Sequence, residues 1–154
     1  MAPAARGSAG IDVTASTGHL IRRAAQRYSA IWADLSPGDL TSPQFGLLAL
    51  LDSEGELDQQ TLGQRGALDK STCGYLVDRM QRAGLVNSVT DPTNRRRKLI
   101  SLTGAGRTRL REAAPLQQQV QAMALSELTE QDRLELNRLL TKMLSLGPPV
   151  DAEQ

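Results

Sequence analysis

A mainly α fold carrying one small β-hairpin is predicted by three features of the sequence. Aromatic residues are only 3% of the 154 while 40% are hydrophobic, so the interior must be assembled from Leu, Ala, Val, Ile and Met, which suits helix packing better than a sheet sandwich. Apolar residues recur at helical spacing over most of the chain. The one departure runs from Leu85 to Leu102, where β-rich LVNSVT and alternating KLISL flank the turn-forming DPTNRR.

Each element follows from local signals. Asp12 to Leu35 places Leu20, Ala24, Tyr28, Ile31, Trp32 and Leu35 on one stripe, widened by Ile21 and Ala25, and is expected to be a helix stopped by Ser36-Pro37-Gly38. Thr41 or Ser42 caps a second helix with Pro43 at its start and Phe45, Leu47, Leu48, Leu50 and Leu51 along it. Asp58 caps a short third helix, QQTLGQRGA, and Asp69 a fourth, KSTCGYLVDRMQRAG, which Gly84 closes. A turn of about four residues between those two is helix-turn-helix spacing. After the hairpin, Thr103 caps a long helix through Leu125, marked by Leu110, Ala113, Leu116, Val120 and Met123, with a kink expected at Pro115. Thr129 caps the last helix, which carries Leu134, Leu136, Leu139, Leu140, Met143 and Leu144.

The order describes a winged helix-turn-helix flanked by N- and C-terminal dimerisation helices. The predicted division is a disordered N-terminus over 1–10, a helical dimerisation domain from 11–40 and 104–146, a winged helix-turn-helix over 41–103, and a loose C-terminus over 147–154. The outer helices carry more apolar surface than the middle block can cover, so a second copy of the chain is the expected partner.

Lys and Arg number 18 against 17 Asp and Glu, with net charge +1 and pI about 7.9, so the run Arg95-Arg96-Arg97 needs a local explanation. Three guanidinium groups at a hairpin tip cannot all be buried, because each would need its own anion. Solvent or phosphate must receive them, and a wing beside a recognition helix reaches the minor groove or its flanking phosphates. On the fourth helix, Cys73, Val77 and Met80 share an inner face with Leu76 at its edge. Lys70, Ser71, Thr72, Tyr75 and Arg79 then face outward: Ser71, Thr72 and Tyr75 are placed to read base edges, Lys70 and Arg79 to meet phosphates. Ser71 and Thr72 are equally plausible as capping residues. Gln59 and Gln60 open the third helix, where amide side chains can clamp backbone phosphates.

Three segments, LTSPQFGLLALL, LDQQTLGQRGALDKSTCGYLVDRMQRAGLV and DPTNRRRKLISLTGAG, resemble successive signatures of the MarR family of bacterial transcriptional regulators, and the resemblance extends from about Gly18 to Leu144. It implies a homodimeric repressor on pseudo-palindromic, double-stranded operator DNA, released by a small effector. GHLIRRAAQRYSAIW together with LDQQTL is similar to members that sense aromatic carboxylates or their CoA thioesters. The resemblance further implies a pocket where the dimerisation helices meet the DNA-binding block, with Arg22 at an anion-binding position. It also implies an Asp-x-Arg ion pair in the wing. Here Asn94 occupies the aspartate position two before Arg96, leaving Asp91 as the alternative carboxylate.

The first helix holds the single histidine and the single tryptophan. His19, Arg22, Tyr28 and Trp32 form the candidate effector set: a planar guanidinium fork for a carboxylate, and rings for a flat ligand. Arg22 and Tyr28 stand about 240° apart around the helix axis, not squarely on one face, and can still converge if the pocket lies between subunits. Tyr28 and Trp32 otherwise belong to the helix core, and His19 to an exposed or capping role.

Other classes are less well supported. One histidine and one cysteine on different helices, with neither metal-ligand spacing nor a glycine-rich phosphate loop, leave no catalytic constellation, and no metal or cofactor is expected. A winged-helix module serving protein contacts has no need of an arginine-rich wing. A redox regulator would need Cys73 exposed and acidic, against its inward position. With one cysteine, no span of roughly 20 apolar residues and no signal-like start, a cytoplasmic setting without membrane contact is expected.

Overall fold

The computed structural model describes residues 12–36 and 40–145. The expectations for both termini and for Pro37-Gly38 lie outside the described residues. Six helices and a small sheet follow in the order α1 (Thr17–Leu35), α2 (Ser42–Glu54), β1 (Leu57–Asp58), α3 (Gln59–Arg65), α4 (Lys70–Arg82), β2 (Val86–Asp91), β3 (Asn94–Leu102), α5 (Gly104–Ala124) and α6 (Glu130–Leu144). The mainly α, winged helix-turn-helix reading holds.

Side-chain caps set most boundaries. Thr41 and Gln44 form a reciprocal capping box at α2, while Asp58, Asp69, Thr103 and Thr129 accept from backbone N–H groups at the starts of α3, α4, α5 and α6. The first helix starts later than expected. Asp12 caps only a 3₁₀ turn, Val13–Ala15, and Ser16 then caps α1 by accepting from the His19 N–H. At the end of α4, Gly84 adopts φ +74°, and the Leu85 N–H donates back to the Met80 carbonyl at 2.9 Å, turning the chain into β2. α5 continues through Pro115, which lies on an exposed side where water can satisfy the carbonyl left without a partner.

The hairpin is one part of a three-stranded antiparallel sheet ordered β1-β3-β2. The short strand β1 was not expected; it pairs Leu57 with Ile100 and Asp58 with Leu99, tying the start of α3 to the wing. A continuous core joins Leu47, Leu48 and Leu51 of α2, Leu62 of α3, Cys73, Val77 and Met80 of α4, Val86 and Ile100 of the sheet, and Leu110 and Ala113 of α5. Gly106 closes it at one end, because a Cβ there would stand 2.0 Å from the Leu85 carbonyl oxygen. Trp32 anchors α1 to this body: it is 2% exposed, its Nε1–H donates to the Leu40 carbonyl at 2.7 Å, and its ring lies 5.2 Å from that of Phe45.

α6 differs from every other helix. None of its residues is buried, and it exposes Leu134 (66%), Leu139, Leu140, Met143 and Leu144 (72%). Arg133 fastens its start by donating to the Leu125 and Leu128 carbonyls at 2.9 and 3.2 Å.

Candidate nucleic-acid interface and effector region

The two helices of the helix-turn-helix are held together by α4's inner face. Cys73 is 1% exposed against Gly63 of α3, and its thiol approaches the Gln59 carbonyl at 3.6 Å. Burial pushes the Cys73 thiol above its ordinary range, and the Asp69 charge adds to the effect. A buried, protonated thiol is a poor redox sensor. The connecting turn passes through Ala67 at φ +54°, a left-handed conformation that a non-glycine residue occupies at a cost of about 1–2 kcal/mol.

That packing leaves the expected polar face outward. Lys70, Ser71, Thr72, Tyr75, Asp78 and Arg79 are exposed, whereas Cys73, Leu76, Val77 and Met80 are buried. Thr72 serves the helix start as well: its backbone N–H and its hydroxyl both donate to Asp69, at 2.8 and 2.7 Å, and hold that carboxyl below its ordinary range. Tyr75 is 59% exposed, and Arg79 donates to its phenolic oxygen at 3.0 Å. The pair therefore presents one joined surface, and the Tyr75 oxygen acts in it as an acceptor. Gln59 lays its side-chain amide over Gly74 of α4, 3.3 Å from where a Cβ would be, while Gln60 is exposed.

The arginines sit on strand β3, and the hairpin turn itself is Pro92-Thr93. The expectation of a charged tip needs that correction. Thr90 faces Lys98 while Asp91 already faces Asn94, so Arg95, Arg96 and Arg97 fall within a bulge of β3. Asp91 is buried and shapes the turn, accepting from the Thr93 N–H and hydroxyl at 2.8 and 2.7 Å. The expected wing ion pair is rearranged. Asn94 accepts the Arg96 backbone N–H at 3.1 Å, and it is Arg97, rather than Arg96, that approaches Asp91, at 3.6 Å, and also Asp58, at 3.2 Å. Thr61 at Asp58 and Thr93 at Asp91, each helped by Arg97, hold both carboxyls below their ordinary range.

Between α3, the start of α4 and β3 lies a cleft of about 520 Å³. Gln60, Lys70, Arg96 and Lys98 line it over a floor that includes Leu68 and Cys73. The start of α4, at Lys70, and a cationic strand thus border one cleft, while the rest of α4's polar face lies outside it; a helix start beside a cationic strand suits contact with a phosphate backbone.

The effector candidates do not converge within one chain. His19 and Arg22 lie near the start of α1, His19 half-buried and Arg22 exposed. Tyr28 is half-buried, and Trp32 is committed to the core through Leu40 and Phe45. Along α1, Arg22 and Trp32 are separated by a rise of about 15 Å.

A MarR family model matches residues 38–97. The transcriptional repressor NicR of Pseudomonas putida is 34% identical over 134 residues, covering 86% of this chain and 85% of NicR. The chain belongs to the MarR family. Among solved structures, BpsR of Bordetella bronchiseptica, whose DNA binding is regulated by 6-hydroxynicotinic acid, superposes with a TM-score of 0.80 at 30% identity, covering 94% of this chain and 99% of BpsR. PcaV of Streptomyces coelicolor, a transcriptional regulator solved with its natural ligand, gives 0.79 at 32% identity over 90% of this chain and 98% of PcaV. This MarR-family chain is a transcriptional regulator. Among the described residues, no helix is long and apolar enough to cross a membrane.

Proposed function

We propose that this MarR-family chain is a homodimeric repressor that grips operator DNA through α4 and the wing and lets go when a small aromatic anion binds. The observation that carries the reading is a pair of outward-facing polar surfaces, the exposed face of α4 and the arginine-bearing bulge of β3, which meet at Lys70 in one cleft. Ser71, Thr72 and Tyr75 are assigned to base edges, and Lys70, Arg79, Gln60, Arg95 and Arg96 to phosphates or the minor groove. Gln59 supports the set by packing over Gly74.

Dimerisation is supported by α6, whose exposed apolar side chains find little cover among the described residues, and by exposed Leu20 and Ile21 on α1 and Met123 on α5. A helix of 15 residues without tertiary packing is marginal in water, so a second chain is the natural cover. The division into a dimerisation part, 11–40 with 104–146, and a DNA-binding part, 41–103, follows the same logic, with Trp32 on Phe45 and with Leu110 and Ala113 in the shared core as ties between them.

An aromatic carboxylate, or its CoA thioester, is the proposed effector class. 6-Hydroxynicotinic acid acting on BpsR supports that class, and exposed Arg22 near His19 supplies the anion-binding chemistry. Tyr28 lines the pocket and Trp32 holds its wall. A partner chain brings the two ends of α1 into one site. Binding lowers DNA affinity by favouring a spacing of the two α4 helices that departs from the roughly 34 Å between half-sites. The test is retention of a promoter fragment by the purified protein and its displacement by 6-hydroxynicotinic acid, benzoate and their CoA thioesters. Retention with displacement by at least one is expected; no retention in dilute buffer overturns the reading.

A further inference from the structure

We infer that Arg97 is a positioning residue, a two-pronged clamp that locks the wing onto the helix-turn-helix, so that of the three consecutive arginines only Arg95 and Arg96 are presented to DNA. The inference rests on the DNA-binding reading above.

The geometry separates Arg97 from its neighbours. Its two terminal nitrogens go to different carboxylates: Nη2 lies 3.2 Å from Asp58 Oδ2 and Nη1 lies 3.6 Å from Asp91 Oδ2. Those carboxylates belong to two working parts. Asp58 caps α3, the first helix of the helix-turn-helix, and Asp91 shapes the hairpin turn through Thr93. The Asp91 side chain is only 8% exposed, so its charge requires a local cation, and Arg97 is the cation in reach.

The bulge gives the clamp its purpose. Arg95, Arg96 and Arg97 have no backbone ladder partners on β2, so the ladder leaves this stretch of the wing undetermined. Arg97 sits at its inner end, two residues before Leu99, which pairs with Asp58 across β1. A fork that joins Asp58 to Asp91 fixes the bulge from below and leaves Arg95 and Arg96 to project. Two carboxylates also outweigh one guanidinium, so a phosphate gains little there. Lysine, a single point charge, cannot bridge both.

The experiment measures binding of a promoter fragment by the full-length dimer at several salt concentrations for R97A, R97K, D91N, D58N and the D91N/R97A pair. Asparagine preserves the cap at Asp58 and the turn hydrogen bonds at Asp91 while removing the charge. Because Arg97 is half-exposed, R97A and R97K are each expected to weaken binding about three- to tenfold. The slope of log K against log salt stays unchanged, whereas losing a phosphate contact lowers it by about 0.9. D91N is expected to weaken binding although it removes a negative charge near DNA, and D91N/R97A is expected to be no worse than R97A alone. Normal binding by R97K with a reduced slope in R97A, or tighter binding by D91N, overturns the clamp.

Hydrogen exchange of residues 88–98 without DNA reads the lock separately. R97A and D91N should raise exchange there to similar extents, and unchanged exchange overturns the clamp. Wild-type protein that ignores DNA would instead overturn the functional reading, while the exchange result still decides the lock.

Discussion

Replacing Trp32 with phenylalanine separates a structural role for that ring from a sensing one. The substitution removes the Nε1–H that donates to the Leu40 carbonyl at 2.7 Å in a buried setting. A buried carbonyl left without its partner costs about 1–3 kcal/mol. The smaller ring leaves a gap against Phe45, worth about 1 kcal/mol more by the cavity relation. The total, roughly 2–4 kcal/mol, corresponds to a fall in Tm of about 5–15 °C for a chain of this length. Circular-dichroism melts of wild type and W32F measure it, at one protein concentration because a dimer's Tm depends on concentration. Operator binding at 25 °C should survive. A Tm within 2 °C of wild type, with effector response lost, would refute the packing argument and place the indole in the ligand pocket.

Arg96→Ala is expected to weaken binding uniformly across DNA sequences and to reduce the salt slope by about 0.9, read by anisotropy titrations. Tyr75→Ala should additionally flatten base preference, and a binding-site selection that returns the wild-type consensus would rule it out as a reader. Arg22→Ala should bind the operator normally yet fail to release on adding an aromatic acid; normal release removes Arg22 from the pocket. Ala67→Gly relieves the left-handed turn between α3 and α4 and should stabilise the protein by about 0.5–1 kcal/mol in chemical denaturation, since glycine's extra unfolded-state entropy offsets part of the gain.

What the sequence made legible is what local chemistry decides. Thr41, Asp58, Asp69, Thr103 and Thr129 cap helices because each side chain reaches the backbone N–H three residues on, and that spacing is visible in the string of letters. The inner face of α4 was legible for the same reason: Cys73, Val77 and Met80 recur at helical period. β1 was not, since two residues carry no periodicity and become a strand only by pairing with Leu99 and Ile100 about forty positions later. Arg97's pairing with Asp58 spans a similar distance, and nothing local distinguishes it from Arg95 or Arg96. The start of α1 was misplaced because Asp12 and Ser16 are both good caps, and only the fold shows which one opens the long helix. The effector candidates lie apart along α1, and a pocket shared between chains, as proposed, would have no signature in the spacing of one.

The most direct test of the account is the stoichiometry and salt dependence of binding to a promoter fragment, measured together by analytical ultracentrifugation and anisotropy. A dimer on each site, with affinity falling by orders of magnitude between about 50 and 200 mM salt, is the predicted result. A monomer in solution, or association indifferent to salt, would contradict it.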